Sequence, residues 1–316
     1  MSLPQLLVDL LEARSRLPHH RPFLTAEALG TGLTYRQLRQ LVAEGLLSHP
    51  IRGVYAMPQL TDDLELRLAM LRLVVPSECV VTDRTAAWLW GAEYALAPND
   101  HLQTPQVSVF SPPGHRLRNG LVDSGERRFA PGDVVALGGL LVTSPLRTAC
   151  DLGRLLHRDQ AFAAMDALAA LRHFSLMELQ LEVRRFRRYR GVVQLRSLAP
   201  KVHWGAQSGP ESIVRLRWHD EALPAPECQV EVEGPDSSYF LDIGNREHRV
   251  AAEYDGVEFH GADRAAHDAR RRAWMTEQLG WVIVVIRKEN LFGRRQDVHL
   301  LLRAGYDEAR RRSPRG

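Results

Sequence analysis

Hydrophobic spacing changes character several times along the chain, and each change predicts an element. Apolar residues recur with helical period over Pro4 to Arg14, and again where Leu38, Leu41 and Val42 share one face behind Thr34, a good N-cap. That helix is expected to stop at Gly45 and to leave Tyr35, Arg36, Arg39 and Gln40 on its polar face. The following LLSHPIRGVYAMP reads as two short strands, Leu46–Leu47 and Gly53–Ala56, around a basic turn at His49 to Arg52. From Thr61 to Lys201 the pattern is mixed: helices over Leu64 to Leu73 and Asp83 to Trp90, strands near Val107 and Leu140, then helices from Arg147 to Arg188. Gly191 to Gly209 reads as a short helix and a linker. Beyond it, Ser208-Gly209-Pro210-Glu211 opens a helix that runs to His219. A hairpin follows, QVEVEGPDSSYFLDIGN, turning at Gly234-Pro235-Asp236, then the strand RVAAEYDG, a helix around Asp268 and Arg271, and a buried strand at Trp281 to Ile286.

A length of 316 residues leads us to expect two or three domains, and 45% hydrophobic with 25% charged residues is ordinary for a soluble globular protein. No run approaches the roughly 18 apolar residues of a spanning helix, and Asp9, Glu12 and Arg14 interrupt the first apolar stretch, so neither a membrane span nor a signal peptide is expected and the location expected is cytoplasmic. Cys79, Cys150 and Cys228 lack the paired spacing of a zinc site or disulfide framework and read as small buried hydrophobes. A net charge of +3 does not by itself imply a nucleic-acid partner. Lysine occurs only at Lys201 and Lys288, so the positive charge is almost all arginine, whose planar fork suits phosphate. Arg147, Asp151 and Asp166, set among apolar neighbours, read as caps or interhelical ion pairs. The run Arg184, Arg185, Arg187, Arg188 and Arg190, interleaved with Phe186 and Tyr189, is either a phosphate-contacting patch or a solvated helix end.

Acidic residues supply the candidate chemistry. Glu211 stands at a helix start, Asp242 in the second hairpin strand, and period-two alternation puts Glu253 and Asp255 on one face of the next strand. Carboxylates brought together repel one another and lose hydration, a state that a hard cation relieves. Mg²⁺ or Mn²⁺ fits such oxygen ligands, and it retains waters that can be deprotonated and aimed at phosphorus.

Two resemblances extend this reading. Residues 1–60, through Gly45-Leu46-Leu47 and Arg52-Gly53-Val54-Tyr55, resemble the N-terminal domain of AbiEi-type antitoxins. The resemblance implies a winged helix-turn-helix whose third helix enters the major groove, with Arg36, Gln37, Arg39 and Gln40 near bases or phosphates and Arg52 at a phosphate. Ser208 to Arg303 resembles the very-short-patch-repair-like branch of the PD-(D/E)xK nuclease superfamily, through the order helix with Glu211, hairpin with Asp242, Glu253-x-Asp255-Gly256, Phe259-His260 and Asp268-x-x-Arg271. It implies Asp242 and Glu253 as metal ligands, with Glu211, Asp255 and His260 completing a catalytic site and Arg271 beside it at the DNA. Asp255 stands where the superfamily usually has lysine, which leaves stabilisation of the attacked phosphate to His260, Arg271 or the metal. A structural role for His260 and an intrahelical Asp268–Arg271 pair are the plain alternatives. Arg270 and Arg272 read as exposed charges, Trp274 and Trp281 as core.

The expected fold is therefore α/β in three parts: a winged helix over 1–60, a mixed α/β region over 61–205, and a restriction-endonuclease-like domain over 206–316 with a mixed sheet flanked by helices. The leading expectation is a DNA-binding protein whose C-terminal domain hydrolyses DNA phosphodiesters with Mg²⁺ or Mn²⁺. The alternative is a non-catalytic DNA-binding regulator of the type IV antitoxin kind with a degenerate nuclease fold. DNA is the expected partner in both, with a toxin promoter or toxin partner in the second.

Overall fold

The computed structural model describes residues 8, 11–12, 14–92, 95, 107–111, 122–235, 237–256, 262–292 and 294–312. Most of the helix expected over Pro4 to Arg14, the turn residue Asp236, and His260 lie outside them. The chain forms two compact units, Met1–Thr148 and Ala149–Gly316.

The first unit begins with β1 (Phe23–Leu24), α1 (Thr25–Gly30), α2 (Tyr35–Ala43), β2 (Ser48–Ile51) and β3 (Val54–Ala56), the strands forming an antiparallel sheet in the order β1-β3-β2. Helix α2 follows the expected pattern, but the first strand of the hairpin sits two residues later. Leu46 and Leu47 are not a strand: both backbone N–H groups donate to the Leu41 carbonyl, closing the end of α2, and Leu47 is buried. The strand starts at Ser48, and the turn narrows to Arg52-Gly53, where Gly53 takes the left-handed φ of 81° that a tight hairpin turn requires. The unit continues with α3 (Leu64–Arg72), β4 (Val80–Val81), α4 (Asp83–Trp90), β5 (Val107–Ser111), β6 (Val122–Glu126), β7 (Val134–Leu137) and β8 (Leu140–Thr143), a five-stranded mixed sheet in the order β6-β5-β4-β8-β7. Ile51, Val54 and Ala56 of the hairpin share one core with Leu68, Val81, Val109 and Val142, so residues 1–60 do not pack apart from the rest of this unit.

Helix α5 (Pro145–Leu155) crosses the division between units, and α6 (Arg158–Ala170), α7 (Leu176–Glu182) and α8 (Val192–Leu198) follow, with 3₁₀ turns at Val183–Phe186 and Ala199–Lys201. Helix α9 (Gly209–Asp220) packs on α6. The contact is made around charge. Asp166 is fully buried on α6, and its carboxylate accepts from the Arg215 guanidinium of α9 at 2.5 Å and from the His203 backbone N–H at 2.9 Å. Arg215 also donates to the Lys201 carbonyl and lies over the Phe162 ring. At the edge of the same contact Arg158 pairs with Asp220, and Arg217 with Asp159.

The C-terminal sheet contains β9 (Glu227–Glu233), β10 (Ser238–Asn245), β11 (Val250–Asp255) and β12 (Val282–Arg287) in the order β12-β11-β10-β9. β9, β10 and β11 are antiparallel neighbours, while β12 runs parallel to β11 after the long crossover helix α10 (Ala262–Leu279). Short α11 (Lys288–Leu291) and α12 (Val298–Arg312) complete the chain. Ile213, Val214 and Trp218 of α9 and Leu302 of α12 fill one face with Val250 and Ala252, and Met275 of α10 fills the other with Ala251, Val230 and Leu241. The alternation that separates Ala252 from Ala251 is what sends Glu253 toward α10. Among the described residues no helix is long and apolar enough to cross a membrane.

Removing one partner from a buried ion pair strands the other charge away from water. Asp166→Ala is expected to destabilise the second unit by about 3–5 kcal/mol, and the double variant Asp166→Ala with Arg215→Met by markedly less. Denaturant midpoints of the two variants check the difference.

Candidate functional site

Two places gather the residues singled out by sequence, one in each unit. In the first, a reciprocal capping box fixes the start of α2: Thr34 Oγ1 accepts from the Gln37 N–H at 3.2 Å, and Gln37 Oε1 accepts from the Thr34 N–H at 2.9 Å. Leu38 and Leu41 anchor the helix in a core with Phe23, Leu47, Tyr55 and Met57. Its opposite face leaves Tyr35, Arg36 and Arg39 exposed and Gln40 half-buried. Gln37, read from sequence as a DNA contact, has its side-chain oxygen held in the cap. Arg52 is exposed on the β2–β3 turn. That turn is braced: the Gly53 carbonyl accepts from the Thr25 N–H at 3.0 Å, the Gly53 N–H donates to His49 Nε2 at 3.3 Å, and the His49 ring stacks on Tyr55 at 4.3 Å. Burial holds the His49 pKa below its ordinary value, which keeps Nε2 available as an acceptor at neutral pH.

In the second unit the fold brings three of the four expected acids, Glu211, Asp242 and Glu253, into one cluster in which Asp242 acts on the other two. Glu211 sits in the first turn of α9, capped by Ser208, and its oxygens accept from the Gln207 N–H at 2.9 Å and the Ser208 hydroxyl at 2.9 Å. Asp242 marks an irregularity in β10. The ladder with β9 passes from Leu241↔Val230 to Ile243↔Cys228 across Gln229, which adopts a left-handed φ of 51°, and Leu241 and Ile243 consequently side with different cores. On its other edge the β10–β11 ladder reaches Ile243↔Ala252, and beyond it the Tyr254 N–H donates to Asp242 Oδ2 at 2.8 Å. A carboxylate thus takes the place of a backbone carbonyl. Glu253, buried on β11, meets Arg271 of α10 at 2.7 Å and Arg272 at 3.3 Å, and Arg272 also faces Asp255 at 3.9 Å.

Burial is the main cause lifting the pKa of all three acids. For Glu211 the Asp242 charge adds to it; for Asp242 the Tyr254 N–H and the two guanidinium groups pull back; for Glu253 the Arg271 charge pulls back while Asp242 pushes up again. Asp242 therefore acts on both other acids; arginine balances Asp242 and Glu253, while hydrogen bonds from Gln207, Ser208 and Gln229 pull Glu211 back. Among the described residues no three His, Cys, Asp or Glu side chains are disposed to hold a metal ion. The donor set suits a divalent cation only if Arg271 and Arg272 give up Glu253.

Asp268 does approach Arg271, at 3.9 Å, but the principal partner of Arg271 is Glu253. Arg272, read from sequence as an exposed charge, is the residue that the pattern missed. Its signal was its place beside Arg271 on a helix that follows an acidic strand, and only the crossover of α10 over β11 turns both side chains toward Glu253. Trp281 and Trp274 pack as expected, the latter edge-on to Tyr239 at 6.0 Å. Arg147, Asp151 and Asp166 all serve in ion pairs, with Asp133, Arg154 and Arg215. Cys79 and Cys150 are buried, and burial pushes the half-buried Cys228 thiol up to about 11, which disfavours its thiolate.

Comparison with known proteins places this geometry in a lineage. Over 255 residues, 80% of this chain and 90% of each relative, the sequence is 30% identical to the uncharacterized proteins Rv2248 and MT2308 of two Mycobacterium tuberculosis strains. The chain belongs to their family. Residues 79–201 match the model of the AbiEi antitoxin C-terminal domain. The matched segment lies outside residues 1–60, where the sequence resembles the antitoxins' N-terminal domain, and it includes the arginine run from Arg184 to Arg190. The acidic cluster from Glu211 to Asp255 lies outside the matched segment.

The two central acids are expected to respond differently to neutralisation. Asp242→Asn keeps an oxygen for the Tyr254 N–H and relieves repulsion, so stability at pH 7 should be unchanged or up to about 1 kcal/mol higher. Glu253→Gln leaves Arg271 and Arg272 without their counter-charge and should lower it by about 1–3 kcal/mol. Thermal melts of both variants against wild type check the opposite signs.

Proposed function

We propose that this protein is a duplex-DNA-binding regulator of the AbiEi antitoxin kind, with residues 1–60 acting as a winged helix-turn-helix. The observations that carry the reading are the exposed basic face of α2, with Arg36 and Arg39, and the braced turn that bears exposed Arg52, in a chain that matches an antitoxin domain over residues 79–201. In this arrangement α2 enters the major groove with Tyr35, Arg36, Arg39 and Gln40 toward base edges and phosphates, and Arg52 meets a flanking phosphate. The rigid cap and turn hold these side chains in place before binding, which lowers the ordering cost of association. The operator of a toxin gene is the DNA target that the antitoxin likeness suggests, and the toxin itself the protein partner. Replacing Arg36, Arg39 and Arg52 together by alanine is expected to weaken duplex binding and to lower the slope of log affinity against log salt by about 2–3. Fluorescence anisotropy across a salt series measures both, and an unchanged slope removes this surface from the DNA.

A second reading, a PD-(D/E)xK-type endonuclease site over residues 206–316, is favoured by one feature: the charge of Asp242 on β10 raises the pKa of both Glu211 on α9 and Glu253 on β11. In that reading Asp242 and Glu253 hold Mg²⁺ or Mn²⁺, with Glu211, Asp255 and His260 around them and Arg271 released toward DNA. Bound metal supplies an activated water and offsets phosphate charge. The Arg271 and Arg272 pairs with Glu253 weigh against it and make it second. Metal-dependent nicking of duplex, mismatched or single-stranded DNA that Asp242→Asn abolishes would establish the enzyme. No nicking by wild type, with no heat of Mn²⁺ binding in calorimetry, would leave the regulator alone.

A further inference from the structure

Between Glu182 and Glu211 the sequence carries seven arginines and lysines and no aspartate or glutamate. Five of them, Arg184, Arg187, Arg188, Arg190 and Arg196, are exposed, and among the described residues none of their guanidinium groups meets a carboxylate; the neighbouring Arg185 pairs with Glu182. The segment that presents them is built, not frayed. Val183 and Phe186 are buried, and Phe186 meets Tyr189 edge-on at 5.3 Å. The Arg154 guanidinium lies 5.9 Å from the centre of Phe186 and 5.5 Å from that of Tyr189, donates to the Arg190 carbonyl at 3.3 Å, and is itself held by buried Asp151 at 2.8 Å. Gly191 turns the chain at a φ of 77°, and any side chain there would collide with the Arg154 carbonyl, 1.8 Å from the position of a Cβ. Arg188 sits beside it in the same left-handed region, at a φ of 68°, a strained conformation for arginine. Where this loop meets α8, a groove of about 420 Å³ is lined by Arg184 and Arg196 together with Val183, Ala199 and Pro200.

Unpaired like charges this close repel one another and disfavour the fold unless a polyanion shares the surface. Two guanidinium groups lining one groove, beside a loop carrying three more exposed arginines, offer the forked donors that phosphate oxygens accept from. We infer that this groove and loop in the second unit form a nucleic-acid backbone-binding surface, separate from α2 and its turn and independent of the Glu211–Asp255 acids. Its contacts are to the backbone and not to base edges, so it adds affinity and salt dependence without reading sequence.

The test uses the full chain and a short random-sequence duplex, with anisotropy titrations between 50 and 200 mM salt. Arg184→Ala, Arg188→Ala and Arg196→Ala combined should lower the salt slope by about 2–3, so that across this range wild type loses roughly 40-fold more affinity than the variant. Lysine at the same three positions keeps the charge and should restore the slope. In a background already carrying Arg36→Ala, Arg39→Ala and Arg52→Ala, the residual salt-sensitive binding should disappear when the groove substitutions are added. An unchanged slope in both backgrounds overturns the inference, as does polyglutamate competing as well as duplex at equal charge. If the α2 substitutions change nothing while the groove substitutions act, the proposed major-groove surface fails and the groove stands.

Discussion

The buried Asp166–Arg215 pair sets the arrangement of the second unit. A carboxylate with no exposure is tolerable only with its charge matched and its lone pairs filled, and here a guanidinium, a backbone N–H and the aromatic face beneath Arg215 do both. Meeting that requirement fixes α9 against α6 in position and rotation. Helix α9 in turn lies on the C-terminal sheet and carries Glu211 in its first turn, so the placement of the acidic edge descends from a charge pair well inside the helices.

Arginine meets the same requirement again at that edge. Glu253 is buried, yet Arg271 and Arg272 come from the crossover helix to neutralise it, and Asp242 binds a backbone N–H where the β10–β11 ladder lapses. The cluster is a set of acids held in electrostatic balance by the chain's own cations. A divalent cation and these two arginines are alternative solutions to one problem, and for that reason the regulator reading stands ahead of the nuclease reading.

Charge elsewhere is left open. The face of α2 and the loop from Arg184 to Gly191 are both braced from behind, by the capping box and His49–Tyr55 stack in one case and by Arg154 and Phe186 in the other. Rigid presentation of unneutralised arginine on two units gives a chain of modest net charge two strongly basic surfaces, which its overall value of +3 conceals.

Local pattern was enough for much of this. The period of Leu38, Leu41 and Val42 with Thr34 and Gly45 set the bounds of α2, and alternation in RVAAEYDG put Glu253 and Asp255 on one face; the mixed sheet flanked by helices came from the resemblance of the segment from Ser208 onward. The first two are legible because backbone geometry fixes which residues share a face over a few positions. The partners of the buried charges were not legible. That Asp166 meets Arg215, that Leu46 and Leu47 close a helix end instead of starting a strand, that Gln229 breaks the ladder beside Asp242, and that Arg272 turns inward to Glu253 all depend on contacts between elements distant in sequence. Sequence by itself determined which residues carry charge and which face of its element each occupies; only the tertiary structure decided which charges are neutralised within the fold and which remain for a partner, because the energy of a buried charge depends on what surrounds it in space.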